Sequence, residues 1–201
     1  MTREVHMSTQ FFSFSDDTPF STEAVLVNAS SSHYEEDWPS IPHTHAFTEL
    51  FYVSEGSGEF LIENQRFSIK KDDLIIVNPH IQHTETSLSA SPLSYYTVGV
   101  DGISFSFQDQ KEFQIFHCRQ KHADLLFYFH SLFQELDEKN DGYEEICKHT
   151  LAILIAQLRR FAVSDFQLFP SFHPSKECAL VKRYLDSHYS DDINLEQLAS
   201  L

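Results

Sequence analysis

Three histidines and one glutamate carry the spacing best suited to chemistry in this 201-residue chain: His43, His45, Glu49 and His83. His43 and His45 are two apart, so on a strand their side chains point the same way, and Glu49 keeps that parity if the strand is unbroken. His83 follows the apolar run Leu74–Val77 and the Asn78-Pro79 pair, which places it where a neighbouring strand brings it opposite the others. Three imidazoles and a carboxylate suit a divalent transition metal (Zn, Ni, Mn or Fe) with positions left for water or a ligand. The same four side chains can instead hydrogen-bond a polar effector directly, or satisfy one another in a metal-free pocket. Phe47 and Trp38 flank the set and are the further candidate effector contacts, with Trp38 placed to cover the pocket mouth. His80 lies off the parity of His83 and reads as a turn residue. His117, His122, His130, His149 and His188 show no ligand spacing with one another.

Short strands must position these residues. Ala24–Asn28, Glu49–Ser54, Glu59–Glu63, Arg66–Lys70, Leu74–Val77, Leu93–Val100, Ile103–Phe107 and Phe113–His117 are rich in β-branched and aromatic residues. Turn residues separate them, most clearly Glu55-Gly56-Ser57-Gly58, and this spacing predicts a sandwich or barrel. The periodicity then changes. Leu125, Phe129, Leu132, Phe133 and Leu136 fall at helical intervals within His122–Glu138. Asn140-Asp141-Gly142 ends that helix, and a second spans Tyr143–Phe161 with Ile146, Cys147, Leu151, Leu154, Ile155 and Leu158 on one broad face. The pair should pack antiparallel, and its apolar width predicts a homodimer interface through residues 122–161. Phe166–Pro174 reads as a linker. Ser175 can cap a helix to about Tyr189, and Asn194 with Gln197 forms a capping-box pattern for a last helix, Leu195–Leu201. An end inside an amphipathic helix suggests truncation within a second domain.

Composition bounds the setting. Lys and Arg number 14 against 30 Asp and Glu, a formal charge of −16, so this chain alone should repel phosphate backbones. The 19 Phe and 8 Tyr supply a large aromatic core. Cys118, Cys147 and Cys178 are odd in number and far apart, which suits a reducing cytoplasm. Met1–Gln10 lacks the apolar stretch of a signal peptide, and no run reaches the roughly 20 apolar residues of a membrane helix, so no membrane partner is expected.

The run from His43 through His45 and Glu49 to Gly56 matches the first cupin motif, H-x-H-x3-E-x6-G, without a spacing departure. Asn78-Pro79-His80-Ile81-Gln82-His83 resembles the second, P-x-G-x-x-H, with Asn78 and His80 where proline and glycine usually stand; Asp72 likewise holds a position where glycine is common. In cupins, small β-barrels, these four residues are the metal ligands. The whole stretch from Glu49 to His83 is also similar to the sensor domains of AraC-type transcription regulators. The tail from Val181 to Ala199 resembles the opening of that family's DNA-binding domain, and the two helices in 122–161 match its dimerisation region.

The resemblance implies a mainly β fold with appended helices: a flexible arm (1–20), a cupin-like barrel (21–120), a helix pair (121–163), a linker (164–174) and the truncated start of a helix-turn-helix domain (175–201). The arm residues Phe11-Phe12-Ser13-Phe14 resemble the ligand-covering arm of arabinose-type regulators. The implied function is sensing without catalysis. A small polar effector, such as a sugar, enters the barrel, and DNA is bound only by the full-length dimer. The competing function is a metal-dependent cupin enzyme, a dioxygenase or isomerase using the same four residues.

Overall fold

In the computed structural model, the residues described are 24–34, 40–107, 111–117, 123–162, 165–168, 181, 184–185 and 194–199. Strands β1 (Val25–His33), β7 (Ser94–Asp101), β2 (Thr48–Glu55), β5 (Asp73–Val77) and β9 (Phe113–His117) pair in that order as one antiparallel sheet. A second antiparallel sheet has the order β4 (Gln65–Lys70), β3 (Ser57–Ile62), β6 (His83–Ser87), and β8 (Ile103–Ser106) pairs with β10 (Asp165–Leu168). Two helices follow the barrel strands, α1 (Ala123–Glu138) and α2 (Tyr143–Ala162), and a short α3 (Leu195–Ala199) lies near the C-terminus.

Alternation along β2 builds two cores at once. Phe51 and Val53 point between the sheets, where they meet Phe60, Ile62, Ile69, Ile75, Val77 and Tyr95. Leu50 and Tyr52 point the other way, into a second core with Leu74, Ile76, Val98 and Val100 and the helical residues Phe129, Leu132, Leu151 and Leu154. With both faces covered, Thr48–Val53 is buried at every position, which explains the unbroken apolar run from Leu50 to Val53. The mainly β fold with appended helices is thus what the strands and helices form.

The predicted apolar faces of α1 and α2 are largely spent on each other and on the outer face of the five-stranded sheet. Ile146 is the exception among them and is exposed, as are Phe127 and Ile153. Gly142, at φ 84°, makes the turn between the helices. Glu144 and Glu145 in the first turn of α2 and Arg159 and Arg160 in its last complement the helix dipole. Asn194 and Gln197 form the expected reciprocal cap, each backbone N–H donating 2.9 Å to the other's side-chain oxygen.

Two elements differ from the sequence reading. β6, His-Thr-Glu-Thr-Ser, has no apolar alternation, because the residues it turns inward are His83 and Glu85. The expected linker contains β10, whose register Asp165↔Ser106 to Leu168↔Ile103 completes the backbone hydrogen bonding of β8. Most of the expected helix from Ser175 to Tyr189, the arm before Ala24, Trp38, His122 and His188 fall outside the described residues, as do Cys118 and Cys178. Cys147 is a buried free thiol. Among the described residues no helix is long and apolar enough to cross a membrane.

Candidate functional site

Register across the large sheet lays out one wall of the site. Glu49 stands opposite Gly99, and Gly99 opposite Asn28; one row on, Phe51, Thr97 and Ser30 align; beyond them come Val53, Tyr95 and Ser32. These rows share the inward parity of Phe51. Gly99 is required where it stands, since a Cβ there would run into Asn28 Oδ1 and the Phe47 ring. A cavity of about 510 Å³ opens here, lined among others by Ser30, His43, His45, Glu49, Thr84, Glu85 and Tyr95.

The histidines arrive by two routes. The expected continuous strand from His43 to Glu49 is broken: Ala46 and Phe47 bend, and β2 begins at Thr48, whose hydroxyl donates 2.7 Å to the Ile103 carbonyl. His43 instead forms an isolated bridge with His83, each N–H reaching the other's carbonyl at 3.0 Å. Backbone pairing of the first histidine with the last thus does what strand parity was expected to do. The ring centroids lie 4.9 Å (His43–His45), 4.6 Å (His43–His83) and 5.4 Å (His45–His83) apart.

Glu49 links two of them. Its Oε2 is 3.0 Å from His83 Nε2 and its Oε1 is 3.5 Å from His45 Nε2. His83 Nδ1 lies 2.8 Å from the Ile81 carbonyl, so both ring nitrogens face acceptors. Only an imidazolium can donate to both at once. Burial by itself would lower the His83 pKa, but the hydrogen bond and charge of Glu49, with help from the Ile81 carbonyl and Glu85, raise it. For Glu49, burial would raise the pKa; the hydrogen bond from His83 and the charges of the three histidines outweigh it and hold the carboxyl below its ordinary value.

One ring nitrogen from each of His43, His45 and His83 lies within 4.8 Å of the others, a grouping that can hold a metal ion. The donor chemistry fits such an ion. His43 Nδ1 and His83 Nδ1 sit 2.9 Å and 2.8 Å from the carbonyls of Ile41 and Ile81, which turns each Nε2 inward as metal-binding imidazoles require. Glu49 stands beside these nitrogens as the adjoining carboxylate.

Of the expected contacts, Phe47 and His83 are not among the residues that line the cavity; Phe47 stacks on His45 with centroids 4.7 Å apart and so orients that ring, while His83 is buried and hydrogen-bonded to Glu49. Trp38 is outside the described residues. His80 is the exposed turn residue expected, its N–H donating 2.7 Å to the His45 carbonyl. Glu85, Tyr95, Thr84, Thr97, Ser30, Ser32 and Asn28 were not singled out from sequence. They are dispersed over three strands of two sheets, and only the fold brings them around one cavity; the polar character of β6 and of Ser30-Ser31-Ser32 was the available signal. Tyr95 donates to Glu85 Oε1 at 2.6 Å. Burial, followed by that hydrogen bond and the Glu85 charge, drives the phenol pKa far up.

Comparison with curated proteins gives no match. Among solved structures, the chain is similar to an apo ToxT variant from Vibrio cholerae (10% identity, 90% of this chain and 70% of that one, TM-score 0.48). It is also similar to unsaturated fatty acid-bound wild-type ToxT from Vibrio cholerae (10% identity, 90% and 69%, TM-score 0.45). A cupin protein from Bacteroides fragilis shares 18% identity over 45% of this chain and 82% of that one, with a TM-score of 0.34. The family model of the AraC-like ligand binding domain matches residues 30–154, more than half of the chain, and the chain belongs to that family.

Proposed function

We propose that the chain is the ligand-sensing part of a DNA-binding transcription regulator and that it binds a small polar effector, such as a sugar, without turning it over. The observation that carries this reading is the cavity of about 510 Å³ inside the family-matched region, a size suited to a small molecule and lined by hydroxyl, imidazole and carboxylate groups. His43, His45 and Glu49 line it, with His83 hydrogen-bonded to Glu49 and Phe47 stacked on His45. In the whole regulator, the effector would act by binding two arrangements of barrel and DNA-binding domain with different affinity. Two copies joined through residues 122–161 would place recognition helices in successive major grooves.

A thermal-shift screen of sugars and other polar metabolites tests the reading, followed by operator binding of the whole regulator with each stabilising compound. A stabilising compound that changes operator affinity supports it. Turnover of that compound, with no effect on operator binding, would replace it with the enzyme reading.

The histidine cluster favours one addition: His43, His45 and His83, with Glu49, hold a divalent transition metal (Zn, Ni, Mn or Fe). Such an ion would offer Lewis-acid chemistry, or a coordination point for an effector oxygen. The chain's own part is to fix the imidazole tautomers through the Ile41 and Ile81 carbonyls and to neutralise charge with Glu49. Elemental analysis of protein purified without an affinity-tag column checks this. Absence of stoichiometric metal, both as purified and after reconstitution, excludes it.

A further inference from the structure

The cavity holds a second buried carboxylate, Glu85, two residues along β6 from His83. Its parity on β6 matches that of His83, which turns both side chains between the sheets. Glu85 is 7% exposed and lines the cavity. Oε1 accepts the Tyr95 hydroxyl at 2.6 Å, while among the described residues no hydrogen bond reaches Oε2.

Among the described residues, no cationic side chain is bonded to Glu85. His83 Nε2 hydrogen-bonds Glu49, which His45 also approaches, so among the described residues no imidazole nitrogen bonds Glu85. No lysine or arginine is among the described residues that line the cavity. A buried carboxylate without its own cation is unfavourable until a positive group arrives. The surroundings suit a donor-rich cation of small size. Ser30 and Thr97, hydrogen-bonded at 2.7 Å, add hydroxyls on the same wall. Phe51, stacked on Tyr95 with centroids 4.3 Å apart, offers an aromatic surface beside them.

We infer that the effector carries a protonated amine or guanidinium, seated on Glu85 Oε2, together with hydroxyl groups that meet Ser30, Thr97 and Thr84. The inference rests on the sensor reading and adds the chemical class of the ligand.

Matched pairs test it by calorimetry and thermal shift on the full chain. The probes are D-glucosamine against D-glucose and N-acetyl-D-glucosamine, and putrescine and agmatine against 1,4-butanediol. At least one amine should bind measurably tighter than its neutral counterparts, and its affinity should fall as salt is raised. Glu85→Gln keeps the side-chain shape and an acceptor for Tyr95, so the fold is retained. That variant should lose about tenfold to a hundredfold in amine affinity, the range expected for a charged hydrogen bond. Thr97→Val, which leaves Glu85 intact, should weaken the amino sugar and spare putrescine. Equal or better binding of the neutral partners, undiminished amine binding by Glu85→Gln, or no binding by any amine overturns the inference. The sensor reading survives all three outcomes if the metabolite screen yields another ligand, and fails with the inference only if that screen is empty as well.

Discussion

His83 and Glu49 are buried and hydrogen-bonded to each other, and that sets a pH signature. Stability from His83, whose folded pKa is raised, is fully present below the ordinary imidazole value and is lost as pH rises through the raised value. Stability from Glu49, whose folded pKa is lowered, is present above the ordinary carboxylate value and is lost as pH falls through the lowered one. Metal-free protein should therefore have its highest denaturation midpoint between those limits. Glu49→Gln should flatten the alkaline limb in a urea-midpoint series; an unchanged limb would place its origin elsewhere. His80 and Asp72 carry a different cost. Both hold φ of 68°, the left-handed conformation that suits the glycine common at these places in the resembled motif. Asp72 gains a 3.1 Å hydrogen bond from the Tyr52 hydroxyl, whereas His80 is exposed. His80→Gly should accordingly raise stability by up to about 1 kcal/mol, measured by chemical denaturation.

Among the elements, the turn from β5 to β6 explains why asparagine replaces the usual proline of that motif. Asn78 is buried; its Nδ2 donates 2.8 Å to the Phe105 carbonyl and 2.9 Å to Glu112 Oε2, and its Oδ1 accepts the Phe105 N–H at 2.8 Å. Its own N–H donates 2.9 Å to the Glu112 carbonyl, a bond that proline would forfeit. Asn78→Ala removes the side-chain hydrogen bonds to both backbone groups of Phe105 and to Glu112, and should cost about 2–3 kcal/mol in urea unfolding. A loss below about 0.5 kcal/mol would show that water replaces the amide. Strand and helix positions with strong periodicity were legible in the sequence: Leu50 to Val53, Leu74 to Val77, and the faces built on Phe129 and Leu154 all lie where alternation or helical spacing put them. β6 was not, because a strand whose inward residues are His83 and Glu85 presents no apolar signal to read. The same cause hid half of the cavity. The histidine motif was visible as a local spacing, while Glu85, Tyr95, Thr97 and Ser30 meet only through register between distant segments.

At the level of the whole molecule, the helix pair does two jobs in different directions. Its inner face closes the outer core of the large sheet. Its outer face retains Phe127, Ile146 and Ile153, which are 65%, 43% and 44% exposed. If residues 122–161 join two copies, charge at these points should dissociate them with little effect on the fold. Phe127→Asp combined with Ile153→Asp is expected to give a monomer by sedimentation velocity with a denaturation midpoint near wild type. A double variant that stays dimeric would move the interface to another surface.

The Asn78 contact with β8 reaches further than local packing. Asn78 begins the turn that delivers His83, Phe105 lies on β8, and β8 is paired with β10, the strand that precedes residue 169 and the rest of the tail. The Asn78 side chain is thus a latch between the turn before His83 and the strand that leads into the C-terminal segment. Hydrogen exchange offers a direct view of it: the amides of β8 and β10 should open together, and occupancy of the cavity should slow both, whereas slowing confined to β6 would mean that the latch does not transmit.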